Sequence, residues 1–205
     1  MKQALLAGMK ALAIEASDEQ IEKLLSFIEL LKKWNKVFNL TALKTDQEIL
    51  QLHVLDSLTI LPFVKQAKNV LDVGSGAGLP GIPLAIMLPQ VNFVLLDSNN
   101  KKTRFIQQAI IDLKLNNVSA AHSRLETYKP SIVFDTITTR AFAEIQETID
   151  MLKHFSTEDL RLLFMKSKTT DAELAKLDET YEAQCYTLSV PGIEVERNLI
   201  LVTRK

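Results

Sequence analysis

The chain contains the stretch Val70-Leu71-Asp72-Val73-Gly74-Ser75-Gly76-Ala77-Gly78-Leu79-Pro80-Gly81, which holds four of its six glycines. The apolar pair Val70-Leu71 leads into the glycines, and an apolar run from 82 to 88 follows them. This is the pattern of a strand, a tight turn and a helix. Glycine lets the backbone turn sharply and approach a ligand closely, and the N–H groups at the start of the helix have no partners within it. The stretch therefore predicts a site for a nucleotide-type cofactor.

After residue 69, strand-like and helix-like segments alternate along the chain. Such alternation predicts an α/β, Rossmann-like fold with a mainly parallel sheet and helices on both faces. The last two strand segments flank Pro191-Gly192 with no helix between them, so we expect them to pair antiparallel at the end of the sheet. The seven strands are predicted at 69–73, 92–97, 117–121, 132–138, 160–166, 184–190 and 195–203, and the helices at 81–88, 99–115, 141–154 and 170–180.

The first third of the chain has helical spacing of its apolar residues. Ser17-Asp18-Glu19-Gln20 and Thr45-Asp46-Gln47-Glu48 each have the pattern of a capping box at the start of a helix. We expect the second of these helices to continue until Pro62. The sequence thus predicts an N-terminal helical extension, 1–66, packed on a cofactor-binding domain, 67–205, in one compact unit.

Composition limits the class of protein. The net charge of −1 argues against a protein that coats nucleic acid by charge alone, although it permits a local basic face. Cys185 is the only cysteine, which excludes an intrachain disulfide and a cysteine-based metal cluster and is typical of a reducing cytosol. We expect a cytoplasmic protein that binds no membrane and is a monomer.

Two adenosine-containing cofactors fit the glycines. Gly76-Ala77-Gly78-Leu79-Pro80-Gly81 matches the G-x-G-x-x-G pattern of dinucleotide enzymes, with Asp97 as the acidic ribose partner. Asp72 would repel a pyrophosphate just before the glycines, whereas it favours the positive amino and sulfonium groups of S-adenosylmethionine. At the end of the next strand, Asp97 can accept both ribose hydroxyls of either cofactor. The alternative interpretation of Asp97 is the N-cap of the following helix.

Several longer motifs resemble one known family. The segment from Val70 to Gly78 resembles the first motif of class I S-adenosylmethionine-dependent methyltransferases. The continuation to Ala85 is more specific, and so are Trp34-Asn35-Lys36-Val37-Phe38-Asn39-Leu40-Thr41, His53-Val54-Leu55-Asp56-Ser57-Leu58 and Thr139-Arg140-Ala141-Phe142-Ala143. Together they resemble the glucose-inhibited division protein B family, the bacterial small-subunit ribosomal RNA guanine-N7 methyltransferases. The resemblance runs from about residue 20 to Lys205.

This resemblance implies a class I methyltransferase fold, S-adenosylmethionine as cofactor, and 16S ribosomal RNA or its ribonucleoprotein as partner. It departs from the family pattern at Met165-Lys166-Ser167, where a glycine is expected after the lysine, and at Arg197-Asn198, where a histidine often follows the arginine. From the resemblance together with the glycine pattern, the expected cofactor-binding residues are Asp72, Gly74, Gly76, Gly78, Leu79, Asp97, Leu125, Glu126 and Arg140.

The chemistry implied by the resemblance needs alignment more than proton transfer. Guanine N7 carries an in-plane lone pair, so it can attack a methyl group without a general base. We expect Arg140 or Arg124 to hold guanine O6 or the neighbouring phosphate. N7 faces the deep, narrow major groove of A-form RNA, so the target base should be unpaired or exposed. The predicted RNA-binding residues are Lys101, Lys102, Arg104, Arg124, Lys166 and Arg197, and the alternative for each charged residue is a solvated surface.

Two further pairs have alternative interpretations. We interpret Trp34 and Phe38, four residues apart, as packing between the extension and the sheet, with base stacking as the alternative. His53 and Asp56 lie three apart, and we expect them to position the extension or to touch substrate, and not to bind a metal. For the whole chain, the alternative functions are an NAD-dependent oxidoreductase and a non-catalytic, cofactor-binding module that associates with the ribosome.

Overall fold

The sheet has seven strands in the order β3-β2-β1-β4-β5-β7-β6 in the computed structural model, which describes all residues except 156, 158 and 168–170. Strands β1 to β5 are parallel, whereas β7 lies antiparallel between β5 and β6. The mainly parallel, seven-stranded fold with an antiparallel end is therefore confirmed. The strands are β1 Asn69–Val73, β2 Asn92–Asp97, β3 Val118–His122, β4 Thr136–Arg140, β5 Arg161–Lys166, β6 Tyr181–Leu188 and β7 Arg197–Arg204.

The described helices alternate with these strands and also form the N-terminal third of the chain. A π-helical stretch, Leu50–Leu55, joins α3 to α4, and short 3-10 turns lie at Leu125–Thr127 and Lys153–Phe155. The α-helices are α1 Lys2–Ala11, α2 Asp18–Phe38, α3 Asp46–Ile49, α4 Asp56–Leu58, α5 Leu61–Val64, α6 Gly81–Met87, α7 Asn100–Asp112, α8 Ile145–Leu152 and α9 Asp171–Leu174.

The elements that differ most from prediction have local causes. The strand predicted at 132–138 begins only at Thr136, because Val133 is exposed and Asp135 accepts hydrogen bonds from the backbone of Lys68 and Asn69. The helix predicted from 141 begins at Ile145, since Ala141 has a φ of +51°, which a right-handed helix does not allow. The predicted helix 170–180 is confined to α9 among the described residues, and residue 170 lies outside them.

Both predicted capping boxes are present. The Ser17 hydroxyl accepts from the Gln20 N–H at 3.2 Å and the Gln20 side chain accepts from the Ser17 N–H at 2.9 Å, and Thr45 and Glu48 form the same pair. The prediction that Pro62 ends the second helix is wrong. Helix α4 ends at Leu58, and Pro62 lies in the first turn of α5, where its missing N–H would have no helical partner.

The extension packs on one face of the sheet. Buried side chains of α1 and α2, including Leu5 and Leu24, belong to the same apolar cluster as those of α6 and α7. Phe105 of α7 is fully buried and contacts Phe27 and Trp34 of α2, with ring centroids 6.3 and 5.8 Å apart. The other face is covered by α8 and the two 3-10 turns. Trp34 therefore packs against α7, the helix that lies between the extension and the sheet at this point.

No helix in the described part of the chain has the length and apolar character needed to cross a membrane.

We propose that 1–66 and 67–205 unfold as one cooperative unit, because their side chains share this cluster. Phe105→Ala should lower the free energy of unfolding by about 3–5 kcal/mol, since it removes a fully buried ring that contacts both parts. Urea unfolding monitored by circular dichroism and by Trp34 fluorescence should show one coincident transition. Ile111→Ala on the same helix is the control: this side chain is 68% exposed, and its loss should change the free energy by less than about 0.5 kcal/mol. Two separate transitions in the wild-type protein would contradict the proposal.

Candidate active site

The glycine loop follows β1 at the carboxyl end of the sheet. Gly74, Gly76 and Gly78 have φ angles of +67°, +59° and +74°, a region that disfavours residues with a Cβ atom. The N–H groups of Gly74 and Ser75 donate to the Leu96 carbonyl at 2.8 and 3.1 Å, so the loop is attached to the end of β2. The predicted strand, glycine turn and helix therefore lie where ligands bind in open α/β sheets.

Asp72 is fully buried beneath this loop. One carboxylate oxygen accepts from the Gly81 N–H at 3.0 Å and the other accepts from the Thr138 hydroxyl at 3.2 Å. A Cβ on Gly81 would lie 2.8 Å from the same carboxylate, so only glycine permits this approach. Burial raises the pKa of Asp72 to about 7, although its hydrogen bonds favour the ionised form. In this conformation no surface of Asp72 is open to a ligand, and its predicted contact with cofactor stays a prediction.

Asp97 supports the loop from the neighbouring strand. Its two oxygens accept from the N–H groups of Gly76 and Asn99, both at 2.8 Å. The N-cap of α7 is Asn99, whose side chain accepts from the N–H groups of Lys101 and Lys102, so the N-cap interpretation of Asp97 is wrong. Asp97 is 7% exposed, and each of its oxygens retains a lone pair for the predicted ribose contact.

The other residues predicted at the cofactor site differ in accessibility. Leu79 and Leu125 are buried in the apolar clusters, whereas Glu126 and Arg124 are exposed near the end of β3. Lys102 approaches the glycine loop, and its Nζ lies 3.9 Å from the position that a Cβ on Gly76 would take.

Beside the glycine loop lies a cleft of about 400 Å³. Its walls come from the extension, from the carboxyl ends of β4 and β5, and from the segments where β6 ends and β7 begins. The volume lies in the range of small-ligand pockets and suffices for a single nucleobase. The lining residues are Leu52, Asp56, Arg140, Ala141, Phe142, Ala143, Met165, Lys166, Ser167, Leu188, Arg197 and Asn198.

Asp56 lies between the two arginines of the cleft. Its carboxylate accepts from Arg140 Nη1 at 3.1 Å and from Arg197 Nε at 3.2 Å, and its side chain is only 5% exposed. Arg140 Nη1 also donates to the Leu52 carbonyl at 3.0 Å. The extension thereby holds both guanidinium groups at the cleft, each about one-fifth exposed. A buried carboxylate that pairs with two cations offsets their mutual repulsion.

His53 completes this polar network from the π-helical stretch. Arg140 Nη2 lies 3.3 Å from His53 Nδ1, and His53 Nε2 lies 2.8 Å from the Thr41 hydroxyl. His53 Nδ1 also lies 3.1 Å from the Leu52 carbonyl, so this nitrogen contacts both a donor and an acceptor. Burial, reinforced by the charge of Arg140, lowers the pKa of His53 to about 4. His53 is therefore neutral and contacts Arg140, and its predicted role in positioning the extension or touching substrate stays a prediction.

Phe142 joins the cleft to the glycine loop. It follows Ala141, whose left-handed backbone turns the chain away from β4. The ring is 41% exposed, and its Cδ2 atom lies 2.8 Å from the position that a Cβ on Gly74 would take. The left-handed conformation of Ala141 is strained, and such strain is retained at functional sites because the surrounding structure holds it in place.

Two predicted RNA-binding residues are engaged in ion pairs. Lys166 pairs with Glu173, which also accepts from the Ile145 N–H at 3.1 Å, and Arg197 pairs with Asp56. Lys101, Arg104 and Arg124 are exposed and form no ion pair within 4 Å among the described residues. In the described part of the chain, no three His, Cys, Asp or Glu side chains are grouped to hold a metal ion.

The structure brings Arg140, Lys166 and Arg197 together in the cleft, whereas Arg124 lies elsewhere on the same edge of the sheet. Sequence reasoning gave no role to Phe142, although Thr139-Arg140-Ala141-Phe142-Ala143 follows a predicted strand. It also missed the partner of Lys166, because Glu173 lies on a helix that no sequence pattern connects with β5.

Sequence comparisons find a matching family model and named relatives of this chain. A family model described as GidB, rRNA small subunit methyltransferase G, matches residues 20–200. Proteins named ribosomal RNA small subunit methyltransferase G from Ectopseudomonas mendocina and Nitrosococcus oceani are 46% and 45% identical to this chain. The matches cover 98% and 94% of this chain and 94% and 90% of those proteins.

Solved structures share the fold at low identity. An O-methyltransferase from Bacillus cereus in complex with SAH superposes with a TM-score of 0.62 at 17% identity, over 100% of both chains. The O-methyltransferase TomG from Streptomyces achromogenes, in complex with SAM, has a TM-score of 0.60 at 16% identity. That match covers 87% of this chain and 89% of TomG. At these identities the likeness shows the fold alone, and the fold is that of methyltransferases.

Asp72→Asn should remove a pH dependence of stability. The folded protein keeps a proton on Asp72 up to about pH 7, while the unfolded chain loses it near pH 4, so wild-type stability falls as pH rises between these values. Asparagine keeps the shape without the titration. The difference in unfolding free energy, variant minus wild type, should rise by about 1 kcal/mol per pH unit from pH 5 to 7 and level off above pH 8. Urea titrations at each pH measure this, and parallel profiles would contradict it.

Proposed function

The chain belongs to the rRNA small subunit methyltransferase G family, and from this premise we propose that it transfers the methyl group of S-adenosylmethionine to N7 of a guanine in 16S ribosomal RNA. The observation that supports this most directly is the nucleobase-sized cleft, which opens beside the glycine loop and holds Arg140 in a fixed position. The family assignment disfavours the NAD-dependent oxidoreductase alternative. The choice of N7 follows from the family resemblance.

The residues around the loop fit the cofactor. The left-handed backbone of Gly76 leaves space beside the loop, and Asp97 holds the loop while keeping acceptor capacity for a ribose. We assign the cofactor to Gly74, Gly76, Gly78, Asp97 and the segment at Leu125 and Glu126. Asp72 acts beneath the loop and keeps Gly81 and β4 in place. S-adenosylmethionine supplies a methyl group activated by its sulfonium.

The cleft residues are suited to alignment. With S-adenosylmethionine bound, the cleft would align the N7 lone pair with the methyl carbon, the sulfur would leave with the electron pair of the broken bond, and the positive charge would pass to the base. No proton needs to leave, which agrees with the described cleft lining, where the nearby His53 lies buried and hydrogen-bonded behind Arg140. Arg140 donates hydrogen bonds to the acceptor edge of guanine, and Phe142 stacks on its ring. Stacking on an aromatic side chain is the usual way to hold an unpaired base.

We also propose that the protein acts as a monomer in the cytoplasm. The single cysteine and the ribosomal substrate support the cytoplasm.

Methyl transfer with mapping of the product tests the function. Small subunits and naked ribosomal RNA from a strain that lacks this protein are incubated with S-adenosylmethionine carrying a labelled methyl group, and the RNA is then cleaved with borohydride and aniline. Label with one strong cleavage in 16S RNA is the expected result. Label without cleavage would overturn the N7 assignment. Cofactor binding without label on either substrate would favour the non-catalytic module.

Arginine variants test how the base is held. Arg140→Ala should lower kcat by about 100-fold, because a small misplacement of the base costs about that much. Arg140→Lys should behave similarly, since lysine cannot reach Leu52, Asp56 and His53 together. Arg124→Ala, at an exposed residue, should raise the KM for RNA without lowering stability. An unchanged transfer rate in the double alanine variant at saturating RNA would exclude both arginines from this role.

Phe142→Ala should lower kcat/KM by about 10-fold or more, in line with the loss of one base–aromatic stack. Phe142→Tyr keeps the ring and should retain most of the activity. Phe142 lies between the glycine loop and the cleft, and binding of S-adenosylhomocysteine measured by calorimetry distinguishes its roles at these two sites. If Phe142→Ala weakened only the binding of S-adenosylhomocysteine, Phe142 would act at Gly74, and the proposed stack on guanine would be contradicted.

A further inference from the structure

We propose that Phe38, supported by Trp34 and flanked by Lys101, is a platform on which a nucleotide of single-stranded RNA beside the target guanine stacks. This inference rests on the proposed function, because it concerns RNA held near the methylated base. It assigns a second RNA contact, on the extension and outside the cleft.

Two apolar residues at the end of α2, Val37 and Phe38, are exposed to solvent. Val37 is 70% exposed and Phe38 is 39% exposed, although both lie in a helix whose earlier apolar residues are buried. Trp34 covers one side of Phe38, with the ring centroids 5.0 Å apart and the planes inclined by 30°. Trp34 is in turn fixed by Phe105, with ring centroids 5.8 Å apart. One face of the Phe38 ring is therefore packed against Trp34 and the other is exposed to solvent, which is the arrangement that a base requires for stacking.

Helix geometry places Lys101 beside this ring. Residues 25–33 of α2 share a groove with Asp112 and Leu113 at the end of α7, while Trp34 contacts Phe105 near its beginning. The two helices therefore run antiparallel at this contact. Residues four apart lie on the same face of a helix. Phe38 lies one turn after Trp34 on α2, and Lys101 lies one turn before Phe105 on α7. The antiparallel packing therefore brings Phe38 and Lys101 to the same end of the contact.

The charges around the platform favour RNA over a protein partner. Lys101 and Arg104, three residues apart on α7, are exposed and form no ion pair within 4 Å among the residues that the structure describes. Lys32 of α2, by contrast, is paired with Glu29 and Asp46. An aromatic ring beside unpaired cations matches a base and its phosphates, which is how proteins hold single-stranded nucleic acid.

The platform is continuous with the cofactor site through α7. Lys101 is adjacent in the chain to Lys102, whose Nζ approaches Gly76 of the glycine loop. RNA that stacks on Phe38 would thus have cations along its path to the loop. The net charge of −1 does not reveal this basic surface, because acidic residues elsewhere in the chain balance its positive charge.

Binding of RNA can be measured without catalysis. A fluorescein-labelled single-stranded oligoribonucleotide of mixed sequence is titrated with the full chain, and anisotropy gives the dissociation constant. Phe38→Ala and Phe38→Leu should raise it about 10-fold, while Phe38→Tyr should keep it near the wild-type value. Leucine keeps apolar packing on Trp34, so its effect isolates the aromatic face. Lys101→Gln and Arg104→Gln should each reduce the slope of log affinity against log salt by about 0.7.

The matched charge control is Lys65→Gln, at an exposed lysine near the opposite end of β1, which should leave affinity and salt slope unchanged. In methyl transfer, Phe38→Leu should raise the KM for ribosomal RNA about 10-fold, with kcat at saturation and S-adenosylhomocysteine binding unchanged. Wild-type affinity of Phe38→Leu for the oligoribonucleotide would overturn the platform. If Phe38→Leu weakened binding to whole small subunits but not to the oligoribonucleotide, this result would also overturn the platform, in favour of a contact with a ribosomal protein. Binding that requires Phe38, without methylation of any ribosomal substrate, would support the platform and overturn the proposed function.

Discussion

The buried carboxylate of Asp72 is the constraint around which the cofactor end of the molecule is built. It binds the Gly81 N–H and the Thr138 hydroxyl, so one side chain of β1 connects the start of α6 with β4. This connection fixes the glycine loop between them, and it requires glycine at 81 because a Cβ there would meet the carboxylate. A charged group without access to water is costly unless it is hydrogen-bonded, which explains both its partners and its raised pKa. Asp72 thus acts through the loop it positions.

A second carboxylate, Asp56, plays the corresponding role for the cleft. It comes from the extension and binds arginines that begin or end strands of the sheet. The extension is therefore part of the site, since without it Arg140 and Arg197 would repel each other and lose their orientation. A network that holds donors in place, with a neutral histidine behind them, is suited to alignment of a nucleophile that carries no proton to remove.

The described cations divide into those with a carboxylate partner and those without. Lys32, Lys166 and Arg197 have carboxylate partners, whereas Lys101 and Arg104 are exposed and unpaired among the described residues. Unpaired cations at the start of α7, next to Lys102 and the glycine loop, provide a local basic face on a nearly neutral chain. RNA can thereby be attracted to the cofactor side of the molecule without nonspecific binding over its whole surface.

Local patterns in the sequence were sufficient to predict the succession of strands and helices along the chain, the two capping boxes and the glycine loop. These features depend on hydrophobic period, short-range hydrogen bonds and the freedom of glycine, all of which act between residues close in the chain. The sequence also supplied the family resemblance. It misjudged Ala141 and Pro62, because a left-handed residue and a proline in a new first turn have no fixed signature in the chain.

Which charged side chains have a partner depends on tertiary packing. Lys166 and Arg197 were predicted to bind RNA without any partner in the protein, and their partners Glu173 and Asp56 come from separate elements that packing brings to the cleft. The same holds for Asp72, whose burial follows from the strands and helix that surround it, and for Phe38, which stays exposed while Trp34 is covered by Phe105. Burial and pairing are relations between residues distant in sequence. Local pattern specifies the residue types available, and the packed fold determines which of them meet a partner and which meet the substrate.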